Sequence, residues 1–71
     1  MIRKYTQRDY VHMSVMRVRD WEFNARDIQT VIADDYDTRV SMETIRSVLK
    51  TLREEGLLEL TDDGNHYKRN F

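Results

Sequence analysis

The chain has 71 residues, no cysteine, 35% charged residues and a formal net charge of −1. Without cysteine there is neither a disulfide framework nor a thiolate metal site. A near-neutral balance argues against a protein that coats nucleic acid without regard to sequence, because such binders are strongly basic. A single domain of this length buries only about 60% of the surface its unfolded chain exposes, so the core, or a second subunit, must hold the fold.

No apolar run approaches the length of a membrane span, and the segment Met1 to Thr6 lacks the hydrophobic region of a signal peptide, so a cytoplasmic protein is expected. Thr6-Gln-Arg-Asp9 has the form of a capping sequence and opens a first helix over about residues 7–19, with Val11, Val15 and Val18 as its inward stripe. His12, Met13 and Met16 fall on other faces, and Tyr10, Met13 and Met16 are the candidate surface for a second copy or another partner. Trp21-Glu-Phe23 reads as a connection. Asn24-Ala-Arg-Asp27 begins a second helix, about 25–33, with Phe23 and Ile28 at staple positions and Ala25, Ile28, Val31 and Ile32 facing inward. This helix is expected to fail near Asp34-Asp-Tyr-Asp37, leaving a long acidic link in which Thr38-Arg-Val40 adds a few residues of strand.

The third helix, about 42–55, is the most fully specified element. Ile45, Val48, Leu49 and Leu52 follow i, i+3, i+4, i+7 spacing and form one buried stripe, while Arg46, Ser47 and Lys50 point outward. Ser41 caps the first free amides, with Val40 and Ile45 placed to staple across the cap, and Gly56 supplies the left-handed stop. Leu57 to Thr61, the turn Asp62-Asp-Gly-Asn65, and His66 to Phe71 then read as a two-stranded hairpin. Leu58 and Leu60 share a face there with Tyr67 and Phe71, while His66, Lys68 and Asn70 project the other way.

Charge is unevenly spread. Residues 1–19 carry five basic groups, Arg3, Lys4, Arg8, Arg17 and Arg19, against Asp9. Residues 38–53 carry four, Arg39, Arg46, Lys50 and Arg53, against Glu43. Acids gather at Asp34, Asp35 and Asp37 and again at Glu54, Glu55, Glu59, Asp62 and Asp63, so the fold can separate the signs onto different faces.

Ser41-x-x-Thr44-Ile45-Arg46-x-x-Leu49-x-x-Leu52-x-x-x-Gly56-Leu57-Leu58 resembles the recognition helix and first wing strand of bacterial regulators of the GntR and related winged-helix families. The likeness covers residues 41–60 well and residues 24–40 by order of elements only. It implies an α+β winged helix-turn-helix over residues 1–71: three helices, a short strand and a C-terminal two-stranded wing. The chain departs from those regulators in having no effector domain, so no small-molecule effector is indicated, and in placing Asp62 and Asp63 near the wing tip.

A helix that enters the major groove reads base edges with side chains near its N-terminus. Arg pairs with guanine, Glu accepts from cytosine, and Ser or Thr serves either role. Glu43, Thr44, Arg46 and Ser47 are expected in this role, Lys50 on a phosphate, and the amides beneath Ser41 on another. His66, Lys68 and Arg69 would reach flanking backbone or minor groove from the wing, against the repulsion of Asp62 and Asp63. The plain alternative is an exposed helix laced by Glu43–Arg46 and Lys50–Glu54 ion pairs, worth about 0.2 to 0.5 kcal/mol each. Two histidines, His12 and His66, supply too few ligands for a zinc site. Catalysis finds no clustered nucleophile and base and no glycine-rich phosphate loop, so neither enzyme activity nor a cofactor is expected.

The expected function is sequence-specific binding of double-stranded DNA by a dimeric transcriptional regulator, its two copies presenting the third helix to half-sites about one helical turn apart. A reading domain with no sensor suits a phage, plasmid or other mobile element, by analogy. The alternative is a winged helix that docks on a larger host protein complex through its acidic clusters and Met13/Met16 face, which near-neutral charge favours. Structured RNA ranks below both, because no aromatic platform or RNA motif is present.

Overall fold

The computed structural model describes residues 5–71; Arg3 and Lys4, counted above in the N-terminal basic segment, lie outside them. Thr6 opens helix α1 (Gln7–Arg17) through a reciprocal capping box. Its hydroxyl accepts from the Asp9 amide at 3.1 Å, and the Asp9 carboxylate accepts from the Thr6 amide at 2.9 Å. The helix stops two residues short of Arg19. Val18 takes an extended conformation, φ −59° and ψ 132°, and turns its side chain into the core, which redirects the chain toward the sheet.

Strand β1 (Glu22–Phe23) occupies the segment that the sequence suggested as a connection. The expected strand at Thr38–Val40 does not form. Val40 instead buries its side chain ahead of the next helix and gives its carbonyl to Gln29 Nε2 at 3.1 Å, so that backbone is committed to α2 and not to a ladder. Helix α2 (Ala25–Tyr36) starts with a second reciprocal box, Asn24 with Asp27. It runs three residues beyond the expected end at 33. Its last turn is drawn onto α1, where the Tyr36 and Tyr10 rings lie 5.3 Å apart and Arg17 sits 3.4 Å from Asp35 and 5.9 Å from the Tyr36 ring centre. Solvated carboxylates at Asp34 and Asp35 do not break a helix whose other face is packed. Asp37 ends it in the left-handed region, φ 49°. The expected long acidic link is therefore only residues 37–41.

Helix α3 (Met42–Glu54) keeps its expected limits to within a residue. Ser41 Oγ accepts from the Thr44 amide at 3.2 Å. Val40 and Ile45, the staple pair, are both fully buried. At the other end the Leu57 amide donates to Leu52 O and the Gly56 amide to Arg53 O, each at 3.0 Å, with Gly56 at φ 83°, which is a Schellman motif. Strands β2 (Leu58–Leu60) and β3 (Tyr67–Arg69) follow.

The sheet has three antiparallel strands in the order β1-β3-β2; the short strand beside the hairpin is Glu22–Phe23 and not the one expected at residues 38–40. Lys68 lies opposite Glu22 on one side and Glu59 on the other, and Tyr67 opposite Phe23 and Leu60. The helices pack on one another and on this sheet around a core of Val11, Val15, Val18, Phe23, Ile28, Ile32, Val40, Ile45, Val48, Leu49, Leu52 and Leu58. Ser14 is fully buried with them, and its hydroxyl makes no hydrogen bond among the described residues. No helix among the described residues is long and apolar enough to cross a membrane.

Candidate functional site

With Ile45, Val48, Leu49 and Leu52 turned into the core, α3 leaves Arg46, Lys50 and Arg53 on the side that faces the β2–β3 turn. Between them runs an open groove of about 740 Å³, whose other walls are the first turn of α2, with Arg26, and the turn residues Gly64 and Asn65 with Tyr67. Four cations and no carboxylate line it. Among the described residues none of the four is in an ion pair, since the pairs present are Arg17–Asp35, His66–Asp63 and Lys68–Glu59. The intrahelical pairs Glu43–Arg46 and Lys50–Glu54 are thus not formed. A concave surface lined by one sign of charge focuses its field outward, which a net charge of −1 conceals.

The expected base-reading residues do not all come together. Arg46 and Lys50 share the groove, whereas Glu43, Thr44 and Ser47 line a separate, smaller depression against Thr6, Gln7 and Arg8 of α1 and its cap. Helical geometry explains the split. Met42, Arg46, Lys50 and Arg53 recur at i, i+4, i+8 and i+11 along one side, and Glu43 and Ser47 form the next row. Ser41 and Thr44 are joined by a hydroxyl–hydroxyl bond of 2.9 Å, which spends both side chains on the helix start.

The hairpin cations are engaged within the protein. Arg69 alternates onto the same sheet face as Tyr67 and donates from Nη1 to Val15 O at 2.9 Å and Val18 O at 2.8 Å, closing the C-terminal end of α1. Strand alternation already carries this signal, since residues 67, 69 and 71 must share a face. Lys68 points away from the core, 3.7 Å from Glu59, and His66 Nδ1 lies 3.1 Å from Asp63. None of the three lines the groove.

Asp63 likewise turns inward upon its own loop. Its carboxylate accepts from the Thr61 hydroxyl, from the Asn65 amide at 2.9 Å, and contacts His66. These bonds, the Thr61 hydroxyl foremost, hold its pKa down from 3.8 to about 2. The loop fixed in this way, with Gly64 at φ 74°, presents Gly64 and Asn65 to the groove. On the partner surface expected from sequence, Tyr10 is half-buried between the rings of Tyr5 and Tyr36, Met13 is half-buried, and Met16 alone stands open at 65% exposure.

Sequence reading missed Arg26 and Asn65 as members of the site and left Arg53 without a role. Their common signal is positional: an arginine in the first turn after an Asn cap, another one turn beyond Lys50, and the last residue of a turn sequence. No family model matches this chain, and no curated protein or solved structure matches it.

Proposed function

We propose that the protein is a winged helix-turn-helix that binds double-stranded DNA sequence-specifically, as a small transcriptional regulator. The observation that carries this reading is the groove of four unpaired cations, Arg26, Arg46, Lys50 and Arg53, set between α3 and the β2–β3 turn of a near-neutral chain. The element order α1-β1-α2-α3-β2-β3 with sheet order β1-β3-β2 supports the winged-helix assignment. In this reading one sugar-phosphate strand lies along the groove, α3 enters the major groove on one side of that strand, and the hairpin turn flanks it on the other. The 13 residues of α3 make a rod about 20 Å long, and a major groove about 12 Å wide accepts such a helix.

Binding of the purified protein to its own upstream region and to random duplex, titrated from low to physiological salt, tests this. Four phosphate contacts give a log–log salt slope of about −3.6, since each contributes about −0.9. Lys50→Ala is expected to weaken all duplexes alike and to flatten the slope by about one. Selectivity that is absent at physiological salt overturns the proposal. It would favour the second reading, docking onto a host protein, which the exposure of Met16 (65%), Trp21 (70%) and Phe71 (63%) supports. Trp21 and Phe71 sit at the end of the sheet opposite the turn, so that surface and the groove are separate and a second copy of the chain can occupy it without blocking DNA.

A further inference from the structure

The charged groove raises a question of division of labour along α3. Arginine near the start of a reading helix is the usual partner of guanine, yet Arg46 stands in one row with Lys50 and Arg53, across from Arg26 and the hairpin turn. A row of cations on a concave wall suits a phosphodiester strand better than base edges, because every phosphate offers the same charge and none carries sequence. The neighbouring row holds Glu43, with Thr44 and Ser47 beside it. Glu43 is exposed, pairs with neither Arg46 nor Arg8 although both are near in the fold, and is the one acid on the N-terminal half of the helix.

A carboxylate on a DNA-facing helix has few tolerable neighbours. Phosphates repel it, and so do guanine O6 and N7 and thymine O4, which are all acceptors. Adenine offers an N6 donor but sets N7, an acceptor, beside it. Cytosine presents its N4 amino group as its one polar atom in the major groove. We propose that Glu43 is the specificity-determining residue of α3 and selects cytosine, while Arg46 joins Lys50 in holding the backbone and reads no base. This deepens the DNA-binding reading and rests on it. Glu43 also has a plainer role, since a negative charge in the first turn of a helix is favourable to the helix dipole. That role alone lowers the melting temperature slightly when the charge is removed and changes no base preference.

Selection of bound sequences from a pool of randomised duplexes, run on the wild type, Glu43→Gln and Arg46→Ala, separates these roles. The wild-type motif is expected to contain a cytosine column. Glu43→Gln should replace that cytosine by adenine, because a primary amide both accepts from N6 and donates to N7, and should leave the other columns intact. On fixed duplexes the exchange of cytosine for adenine should reverse preference by roughly tenfold or more. Arg46→Ala should lower affinity for every sequence and flatten the salt slope, with the motif unchanged. A cytosine column that survives Glu43→Gln overturns the inference, as does loss of a guanine column in Arg46→Ala. No enriched motif from any of the three proteins overturns the DNA-binding reading itself and this inference with it. Thermal melts of each variant show that a lost column is not lost folding.

Discussion

Asp63 shows how much one side chain can change the meaning of a sequence. Read along the chain, the pair Asp62-Asp63 places negative charge at the tip of a hairpin that should approach phosphate. In the structure the Asp63 carboxylate is folded back onto Thr61, Asn65 and His66, and its hydrogen bonds shape the loop that lines the groove. Because its pKa is lowered from 3.8 to about 2, the stabilisation it lends the loop is complete above about pH 4. That stabilisation declines as the pH falls below the ordinary value and is gone once the pH passes below about 2. An NMR titration of the Asp63 carboxyl carbon should therefore show a midpoint near 2, with the Asn65 amide shifting in step. A midpoint near 3.8 would mean that the loop bonds do not persist in solution. Arg69 teaches the same lesson in the opposite sense. A cation that seemed free to meet DNA is the cap of α1, and the strand period, followed one residue further, would have revealed it.

At the level of elements, legibility followed the strength of local signals. The three helix starts were readable because Thr6, Asn24 and Ser41 each accept a backbone hydrogen bond that no hydrophobic residue can replace. The end of α3 was readable because Gly56 occupies a left-handed position, φ 83°. Beyond Gly56 itself and its two chain neighbours, no described side chain or strand comes within 4 Å of where a Cβ on Gly56 would stand, so Gly56→Ala is penalised by its left-handed backbone conformation and not by crowding. It should destabilise the fold by about 1 to 2 kcal/mol, seen as a lower urea midpoint at unchanged m-value. An unaltered midpoint would show that the Schellman turn contributes nothing to stability. β1 was not legible, since two residues have no period and Glu22–Phe23 becomes a strand only because β3 lies beside it. The end of α2 was hidden for a related reason: it depends on Tyr36 meeting Tyr10, a contact between helices that no local pattern encodes. Ser14 escaped notice because a hydroxyl does not advertise itself as core.

Across the whole molecule, the candidate site was legible in part. The outward row of α3 could be read from periodicity, but the groove needed the tertiary fold to set Arg26 from the start of α2 and Asn65 from the turn opposite that row. The joint that fixes the sheet against the helices is Arg69, whose two bonds reach Val15 and Val18 across 54 and 51 residues of chain. Arg69→Met keeps much of the aliphatic stem and deletes both bonds, leaving the carbonyls of Val15 in α1 and of its C-cap Val18 without this donor. A loss of about 2 to 3 kcal/mol is expected by chemical denaturation; on the proposed DNA-binding reading, affinity for duplex is retained well below the melting temperature. Reduced affinity at full stability would instead return Arg69 to the DNA-contacting role suggested by its sequence position.

That same joint governs when the molecule can be finished. The α1–α2 and α2–α3 contacts join helices that follow one another in the chain, whereas the guanidinium of Arg69 must find carbonyls more than fifty residues behind it, and contacts between distant parts of a chain form slowly. During synthesis the C-terminal end of α1 therefore lacks this donor until Arg69 has emerged. The groove, whose far wall is the β2–β3 turn, is likewise complete only after every helix has been synthesised.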